Sequence, residues 1–299
     1  MGHLVYTSNI PFDMSDWAKE NFVKIVAGTG CIMGLTAEGE ARQVIRNPHR
    51  AIREDYWYGL KDIAVSKIIE GAAIGLMKDG TCQIGKRAIR DLLGRARYAQ
   101  PEFERINAMV KSWKNIVQVA ASDAFFALDE AGRVHYIGIN HSDVGYLDVK
   151  SWENVAKVIP CAGSDGVFGI TKDGRVLAAG WNVTRGPMGD IRNRLAELRD
   201  VTDIASAGSE GERILYTKAD GTVWDLREGK LEGATCARSG QTLEGQIVSN
   251  LIRNGDGTIT AKHYNYGPYL EEVSAWQNVS AMALGDQDFM DVFAIAILE

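Results

Sequence analysis

The chain has 299 residues, of which 45% are apolar, and it contains 32 glycines but only 6 prolines. This composition excludes a disordered chain, and the lack of a Gly-X-Y period excludes a collagen-like one. The formal charge of −6 argues against a dedicated nucleic-acid-binding protein. No apolar run of about 18 residues and no signal-peptide pattern is found, so we expect no membrane association and a cytoplasmic location.

The clearest internal repeats begin at Trp113 and at Trp152. Each contains an aromatic residue, an Asn, an alternating apolar run, a small-residue break, a second apolar run, an acidic-Gly turn and a third apolar run. This order predicts three short strands with a tight hairpin between the second and third, because glycine tolerates the positive φ of such turns.

Weaker copies of the same unit follow one another along the chain. The hairpin position recurs at six glycines: Gly39, Gly80, Gly132, Gly174, Gly221 and Gly257. The aromatic position is filled by Trp17, Trp57, Trp113, Trp152 and Trp276, with Leu198 in one unit. The unit that begins at Trp276 reaches Glu299 before its hairpin, and residues 1–6 match the strand that it lacks. We therefore predict that the N-terminal strand completes the last sheet.

Seven units in 299 residues average about 43 residues each, which is the length of a four-stranded propeller blade. The predicted fold is all-β: a seven-bladed β-propeller of four-stranded blades in one domain spanning residues 1–299. The N-terminal strand closes the ring, which leaves only short, protected sheet edges. A six-bladed ring is the alternative, because the unit at residues 225–265 is the least regular.

The unit [W/L]-x-[N/D]-[V/I], followed by the acidic-Gly hairpin, resembles the repeat of the regulator of chromosome condensation family over the whole chain. The family's Trp-Gly and Gly-Gln-Leu-Gly segments survive only as fragments, in Gly180-Trp181-Asn182 and in Gly186-Pro-Met-Gly189. The resemblance implies a divergent, bacterial-type propeller that serves as a binding surface. The namesake's exchange-factor activity and chromatin binding are not carried over.

Loops after the first strand of each unit carry carboxylates. They are Glu70, Asp123, Asp165, Glu210, Asp286 and Asp288. In a propeller these residues would form an acidic collar around the mouth of the channel, where they could hold a cation or a basic side chain. The alternative is that they only satisfy the backbone groups of their turns.

Loops after the third strand are longer, and three of them are rich in arginine: residues 41–53, 86–111 and 184–199. Apolar residues at helical spacing predict an amphipathic helix within residues 86–105. Arginine and aromatic side chains favour a partner-binding surface. The candidates are Arg46, Arg50, Arg53, Arg90, Arg97, His141, Trp181, Arg185, Arg192, Tyr264 and Tyr266. The alternative is a solvated face whose arginines form ion pairs with acids such as Glu54 and Glu102.

No nucleophile elbow, zinc-protease motif, phosphate-binding loop or dinucleotide fingerprint is found. The four cysteines, Cys31, Cys82, Cys161 and Cys236, form no CxxC pair and lie in apolar segments, so we expect buried free thiols and no metal site. We therefore predict a monomeric, non-enzymatic interaction module with an unidentified protein partner and no cofactor. One alternative is polyanion or nucleic-acid binding by the arginine loops, and another is a carboxylate-dependent hydrolase or lyase at the channel mouth.

Overall fold

The computed structural model describes residues 3–46, 52–85, 96–139, 148–161, 166–180, 189–207, 213–241, 248–263, 268–286 and 292–299. These residues form strands far more than helices. The first strands along the chain are β1 (His3–Tyr6), β2 (Phe22–Gly28), β3 (Cys31–Thr36), β4 (Ala41–Arg46), β5 (Ile52–Trp57), β6 (Leu60–Val65), β7 (Ala73–Met77) and β8 (Cys82–Ile84). They are followed by β9 (Ile116–Ala121), β10 (Ala124–Asp129), β11 (Val134–Gly138), β12 (Val155–Pro160), β13 (Val167–Thr171) and β14 (Val176–Ala179). The last strands are β15 (Val201–Ala207), β16 (Arg213–Lys218), β17 (Val223–Asp225), β18 (Gly229–Leu231), β19 (Ala234–Gln241), β20 (Val248–Asn254), β21 (Ile259–His263), β22 (Val279–Asp286) and β23 (Val292–Leu298).

The described strands form seven small antiparallel sheets, and six of them use strands that are consecutive in the chain. These six are β2–β5, β6–β8, β9–β11, β12–β14, β15–β18 and β19–β21. The seventh sheet combines β22 and β23 with β1, in which Leu4 lies opposite Ile297 and Val5 opposite Ala296. The N-terminal strand thus pairs in the last sheet, at the place that the sequence match predicts.

Neighbouring sheets contact one another in chain order. First strands of successive sheets touch, as β6 touches β9 and β15 touches β19, and β22 of the last sheet touches β2 of the first. Between β12 and β15 the contact is the ion pair of Lys157 with Asp203. The buried apolar side chains between adjacent sheets make up most of the core. One such cluster joins Phe125 of β10 to Ile74 of β7, and both side chains are fully buried.

The predicted four-stranded sheets are found only at β2–β5 and β15–β18; the other five described sheets have three strands. Helices take the outer position instead. Helix α1 (Ala96–Ser112) packs on β8, helix α2 (Gly189–Glu197) packs on β14, and 3-10 helices at Trp17–Lys19 and Pro268–Ala275 contact β1 and β21. In α1 the buried Phe103, Ile106 and Val110 lie at helical spacing and face the sheet. A helix in this position covers backbone groups at the sheet edge that would otherwise be open to pairing.

A residue with positive φ precedes the first strand in six of the described sheets. The six are Gly59, Asn115, Asn154, Asp200, Gly233 and Asn278. The chain enters the first strand through this residue, whose carbonyl oxygen accepts a hydrogen bond from the end of the second strand; the Lys172 amide donates to the Asn154 oxygen at 2.8 Å. The repeated Asn or Asp of the sequence pattern has a conformational cause, because these residues and glycine tolerate the left-handed region.

Asn154 provides a test of this cause, because its side chain is exposed and its φ is 56°. Asn154→Val places a β-branched residue in the left-handed region, and we expect it to lower the free energy of unfolding by about 1–2 kcal/mol. Asn154→Gly is the control and should leave the free energy of unfolding, measured by urea denaturation, within about 0.5 kcal/mol of that of the parent. Equal losses in both variants would show that the amide side chain, and not the backbone angle, matters.

Every described sheet also has a β-bulge near the start of its first strand, where the register with the second strand shifts by one residue. The bulged residue turns outward, so that Val23 and Val117 are exposed by 59% and 44%. The bulge also changes the direction of the next side chain, which is at the third position of the strand. Polar side chains recur at this third position.

Candidate functional site

The strand ends define two faces of the molecule. At one end, the turns after the first strands lie beside the ends of the third strands: the Arg46 amide donates to the Gly30 oxygen, and the Ile139 amide donates to the Asp123 oxygen, both at 2.9 Å. We call this end the loop face. At the opposite end, the hairpin face, the Leu60 amide donates to the Gly39 oxygen at 2.9 Å and so ties a hairpin to the start of the next sheet.

The predicted arginine loop at residues 41–53 is mostly not a loop, since the chain forms β4 and β5 there. Arg46 pairs with Ile52 across these strands, and Arg53 pairs with Ile45. The prediction was wrong because polar side chains are buried in β4: Gln43 is fully buried and donates to the Gly71 oxygen at 3.0 Å. Arg46 and Ile52 end up at the loop face, where Ile52 is 49% exposed, while Arg50 lies outside the described residues.

Arg42 and Arg105 form ion pairs in two of the predicted arginine loops, as in the alternative, although Arg42 is buried and does not lie on a solvated face. Arg42 lies between the rings of Trp17 and Tyr56 and binds Glu20 at 2.9 Å and Glu54 at 2.7 Å. Burial opposes the charge of the Arg42 guanidinium, but hydrogen bonds to these two carboxylates raise its pKa above the usual value. Arg105 binds Glu102 at 2.8 Å and the Gly138 oxygen at 2.9 Å. Both arginines therefore stabilise the fold through contacts within the chain.

The other predicted arginine segments are partly helical. Helix α1 begins at Ala96 and extends to Ser112, beyond the predicted range of 86–105, and Arg97 lies in its first turn. In α2 the Arg192 guanidinium lies 3.5 Å from the carboxylate of Asp148, and both side chains are about half exposed. The remaining candidates lie outside the described residues: Arg90, His141, Trp181, Arg185, Tyr264 and Tyr266.

The predicted acidic collar is only partly described. Glu70 and Asp123 do lie in turns after first strands, and Asp286 is the last residue of β22, while Asp165, Glu210 and Asp288 lie outside the described residues. Asp123 is buried, with 7% exposure, which is not the position of an acid that lines an open mouth. Lys67, in the same turn as Glu70, was missed: its ammonium donates to the Ala27 oxygen and, at 2.8 Å, to the Leu284 oxygen. A lysine therefore bridges three sheets at this end.

A cavity of about 340 Å³ is lined by residues from all seven first strands. Its described charged lining consists of four cations, Lys24, Lys67, Lys157 and Arg238, and one carboxylate, Asp203. Most of the other lining residues are aliphatic. The interior of this central cavity is therefore basic, in contrast to the acidic collar expected from the turns.

The third position of the first strands supplies much of this charge. Lys24 of the first sheet forms an ion pair with Asp62 of the second, and Lys157 of the fourth lies 2.8 Å from Asp203 of the fifth. Gln118 exchanges hydrogen bonds with the backbone of Val158, at 2.8 and 2.9 Å. Comparing this one position across the repeats would have found these polar side chains, which we call the third-position belt, because the first and fourth positions are apolar in every unit.

Asp203 is saturated by its neighbours. Its carboxylate binds Lys157, accepts from the Arg238 guanidinium at 3.0 Å, and accepts from the Ile204 amide at 2.9 Å. Burial opposes the charge of Arg238, but the adjacent Asp203 raises the pKa of the guanidinium above its usual value. No second carboxylate lines the cavity among the described residues, so the paired acids required by the hydrolase alternative are not found there.

The cysteines in the structure are free thiols, as predicted. Cys31, Cys82 and Cys161 are buried and Cys236 is half-buried. Burial raises the pKa of the Cys31 and Cys82 thiols to about 12, so both are protonated and unreactive at neutral pH. Among the residues that the structure describes, no group of three His, Cys, Asp or Glu side chains could bind a metal, and no helix is long and apolar enough to span a bilayer.

Comparison with known proteins identifies the architecture. The chain matches no protein-family model, and no curated protein sequence matches it. Among solved structures, it aligns with Prp20p of Saccharomyces cerevisiae at a TM-score of 0.61 and 11% identity, over 97% of this chain and 84% of that one. A structure of Kap60 bound to yeast RCC1 (Prp20) aligns at a TM-score of 0.59 and 12% identity, over 97% of this chain and 82% of that chain. The fold is that of an RCC1-like β-propeller.

At this level of identity the likeness extends to the fold alone. The RCC1-like propeller accounts for the repeated unit of the sequence and for small antiparallel sheets that contact one another in chain order. The comparison does not extend to the side chains that line the cavity, which are the third-position belt with Lys24, Asp62, Gln118 and Lys157, and the cation Arg238.

Proposed function

We propose that the chain is a seven-bladed propeller, closed through β1, and that it is a non-enzymatic interaction module that binds a protein partner through the loop face. The seven sheets and the pairing of β1 with β23 support the blade number and the closure. The contact between β22 and β2 supports a ring without an internal domain boundary.

The observation that carries the choice of face is the surface around Ile52. This large apolar side chain is half exposed at the loop-face end of the β4–β5 hairpin, with Arg46 opposite and Arg53 next to it in the strand. An exposed aliphatic residue flanked by arginines has the composition of a protein interface, where apolar contact and arginine are both enriched.

The solved relatives are consistent with a protein-binding role. Yeast RCC1 was solved with Kap60, and the Saccharomyces cerevisiae protein was studied for its binding to Gsp1p and histones. For the present chain we infer only the general use, a propeller as a scaffold that holds another protein, and not these partners.

The described arginines favour a protein interface over a polyanion site. Arg42, Arg105 and Arg192 each face a carboxylate of the same chain, so their charge is partly neutralised in place. A phosphate backbone is best bound by cations free to release its counterions. A mixed surface of paired charges and exposed apolar groups fits a folded protein partner better.

The test compares one variant on each face. Ile52→Glu changes the loop face, and Val117→Glu changes a residue of similar exposure, 44%, at the hairpin-face end of β9. Partners of the tagged parent are captured from a lysate of the source cells and quantified by mass spectrometry. We expect the amount of specifically captured protein to fall by about tenfold or more with Ile52→Glu, which is the effect of losing an interface contact worth roughly 1.4 kcal/mol. The amount should stay unchanged with Val117→Glu.

Equal recovery of the captured protein by the parent and Ile52→Glu would refute the loop-face assignment. Recovery lost only with Val117→Glu would move the interface to the hairpin face. If the retained material is nucleic acid and its binding weakens steeply with added salt, the polyanion alternative replaces the protein partner.

A further inference from the structure

One residue breaks the pattern of the first strands inside the central cavity. The fifth position of these strands always lines the cavity, and in six of the seven it is a small or aliphatic residue: Val26, Ala64, Ala120, Ile159, Ala205 and Ala283. The remaining strand, β19, has Arg238 at this position. A long cation therefore projects into a ring that is otherwise apolar.

The guanidinium of Arg238 is only partly used by the protein. Its Nη1 donates to Asp203 at 3.0 Å and to the Ala237 oxygen at 2.7 Å. Its Nε and Nη2 groups donate to no atom of the described residues, and the side chain is 42% exposed although it lies inside the cavity. Three N–H donors thus remain available to a molecule in the cavity.

The charges around Arg238 do not balance. Asp203 is shared by Arg238 and Lys157, and Lys24 is paired with Asp62. At the level of Arg238 the described side chains therefore carry three positive charges, on Lys24, Lys157 and Arg238, against two negative ones, on Asp62 and Asp203. The remaining positive charge lies between largely aliphatic walls, where an anion that enters the cavity would neutralise it.

We propose that the central cavity is a binding site for a small oxyanion of the phosphate or phosphomonoester class, held by Arg238 and Lys157. The planar guanidinium binds two oxygens of such an anion at once, and the lysine adds a point charge. A volume of about 340 Å³ suits a small molecule.

The residues of the proposed site lie nearer the hairpin face than the loop face. Arg238 and Lys157 meet at Asp203, in the third-position belt near the start of the first strands, and Lys67 lies across the loop-face end. The bulged residues at the hairpin-face end include the exposed, uncharged Val117 and Thr202. Anion binding in the cavity is therefore independent of the partner surface proposed around Ile52.

Calorimetric titration of the full-length protein with inorganic phosphate tests the proposal, and a parallel titration with glycerol phosphate distinguishes the free ion from a phosphomonoester. A titration with sodium chloride at the same ionic strength gives the background signal that is subtracted. We expect saturable binding of at least one of the two, and a loss of affinity of about tenfold or more in Arg238→Gln, because hydrogen bonds to a charged group are lost. Lys157→Gln should also weaken binding, and it covers the case in which Arg238→Gln fails to fold.

Arg175→Gln is the matched control, because Arg175 is an exposed arginine that also pairs with an aspartate, Asp173 at 2.8 Å, but lies in the hairpin between β13 and β14. Its affinity for phosphate should equal that of the parent. The proposal is overturned if neither anion binds the parent protein, or if Arg238→Gln and Lys157→Gln bind as tightly as Arg175→Gln.

Discussion

Deletion of residues 1–6 is expected to lower the free energy of unfolding by about 5 kcal/mol or more, which is the size of the whole stability of many domains. The deletion removes the buried Leu4, whose loss alone is worth about 2–5 kcal/mol, together with four backbone pairings to β23. It also leaves β23, with the fully buried Phe293 and Ile295, as an open sheet edge. Urea unfolding followed by circular dichroism measures the loss.

Two controls separate the loss of the strand from a general effect at the N-terminus. Tyr6→Ala changes a side chain that is 37% exposed and should cost no more than about 1 kcal/mol. An excess of a synthetic peptide with the sequence of residues 1–7 should restore part of the lost stability by pairing with β23. A deletion variant with the urea midpoint of the parent would disprove the role of β1.

Gly28→Ala is expected to destabilise the protein by about 3 kcal/mol or more, although it adds a single methyl group. A Cβ on Gly28 would lie 2.0 Å from the Ser66 oxygen and 2.9 Å from the Ser66 carbonyl carbon. Both atoms belong to a backbone that is held in place, since the Ser66 amide donates to the Ala72 oxygen at 2.7 Å and its hydroxyl donates to the Ser122 oxygen at 2.5 Å. Neither strand can move aside without breaking these bonds.

Gly255→Ala is the matched control for Gly28→Ala. The nearest atom to a Cβ on Gly255 is the Gly233 oxygen at 3.7 Å, and its φ is not in the left-handed region, so the change should cost less than about 1 kcal/mol. Thermal and urea unfolding of both variants give the comparison. Similar midpoints for Gly28→Ala and the parent would mean that the first strands are not packed as closely as the structure has them.

The repeated unit could be predicted from sequence because its signals are local. The acidic-Gly turns mark the hairpins through the positive φ of residues such as Gly132 and Gly174, and the alternating apolar runs mark the buried strands. The match between residues 1–6 and the missing strand of the last unit is also visible in the sequence alone.

The outer elements could not be predicted in the same way. In β4 the polar Arg42 and Gln43 are buried by partners from elsewhere in the chain, so the strand lacks the alternation that would reveal it. The fourth strand of most sheets is replaced by a helix, and only tertiary packing on β8 or β14 decides that a short amphipathic segment takes that place.

The central cavity was missed for a different reason. Lys24, Lys157 and Arg238 lie within strands. In the sequence, a charged residue in a strand looks like one on the solvent-exposed face of a sheet. Their convergence depends on the packing of first strands from different repeats and on the bulge that changes the direction of the third side chain, and neither can be seen in the sequence of one repeat. The carboxylates of the turns, by contrast, are conspicuous in sequence, although Asp123 turns out to be buried.

The pairing of β1 with β23 also sets the order of events during synthesis. Strand β1 pairs with β23, in which Leu298 lies opposite His3, so β1 must wait until residue 298 has emerged from the ribosome. Until then the last sheet cannot form, and β2 lacks the neighbouring strand β22 that it contacts in the finished molecule. Contacts of such long sequence separation form late and slowly. The pairing of β1 with β23 is therefore a late step, and the waiting β1 strand is the segment that a chaperone would have most reason to protect.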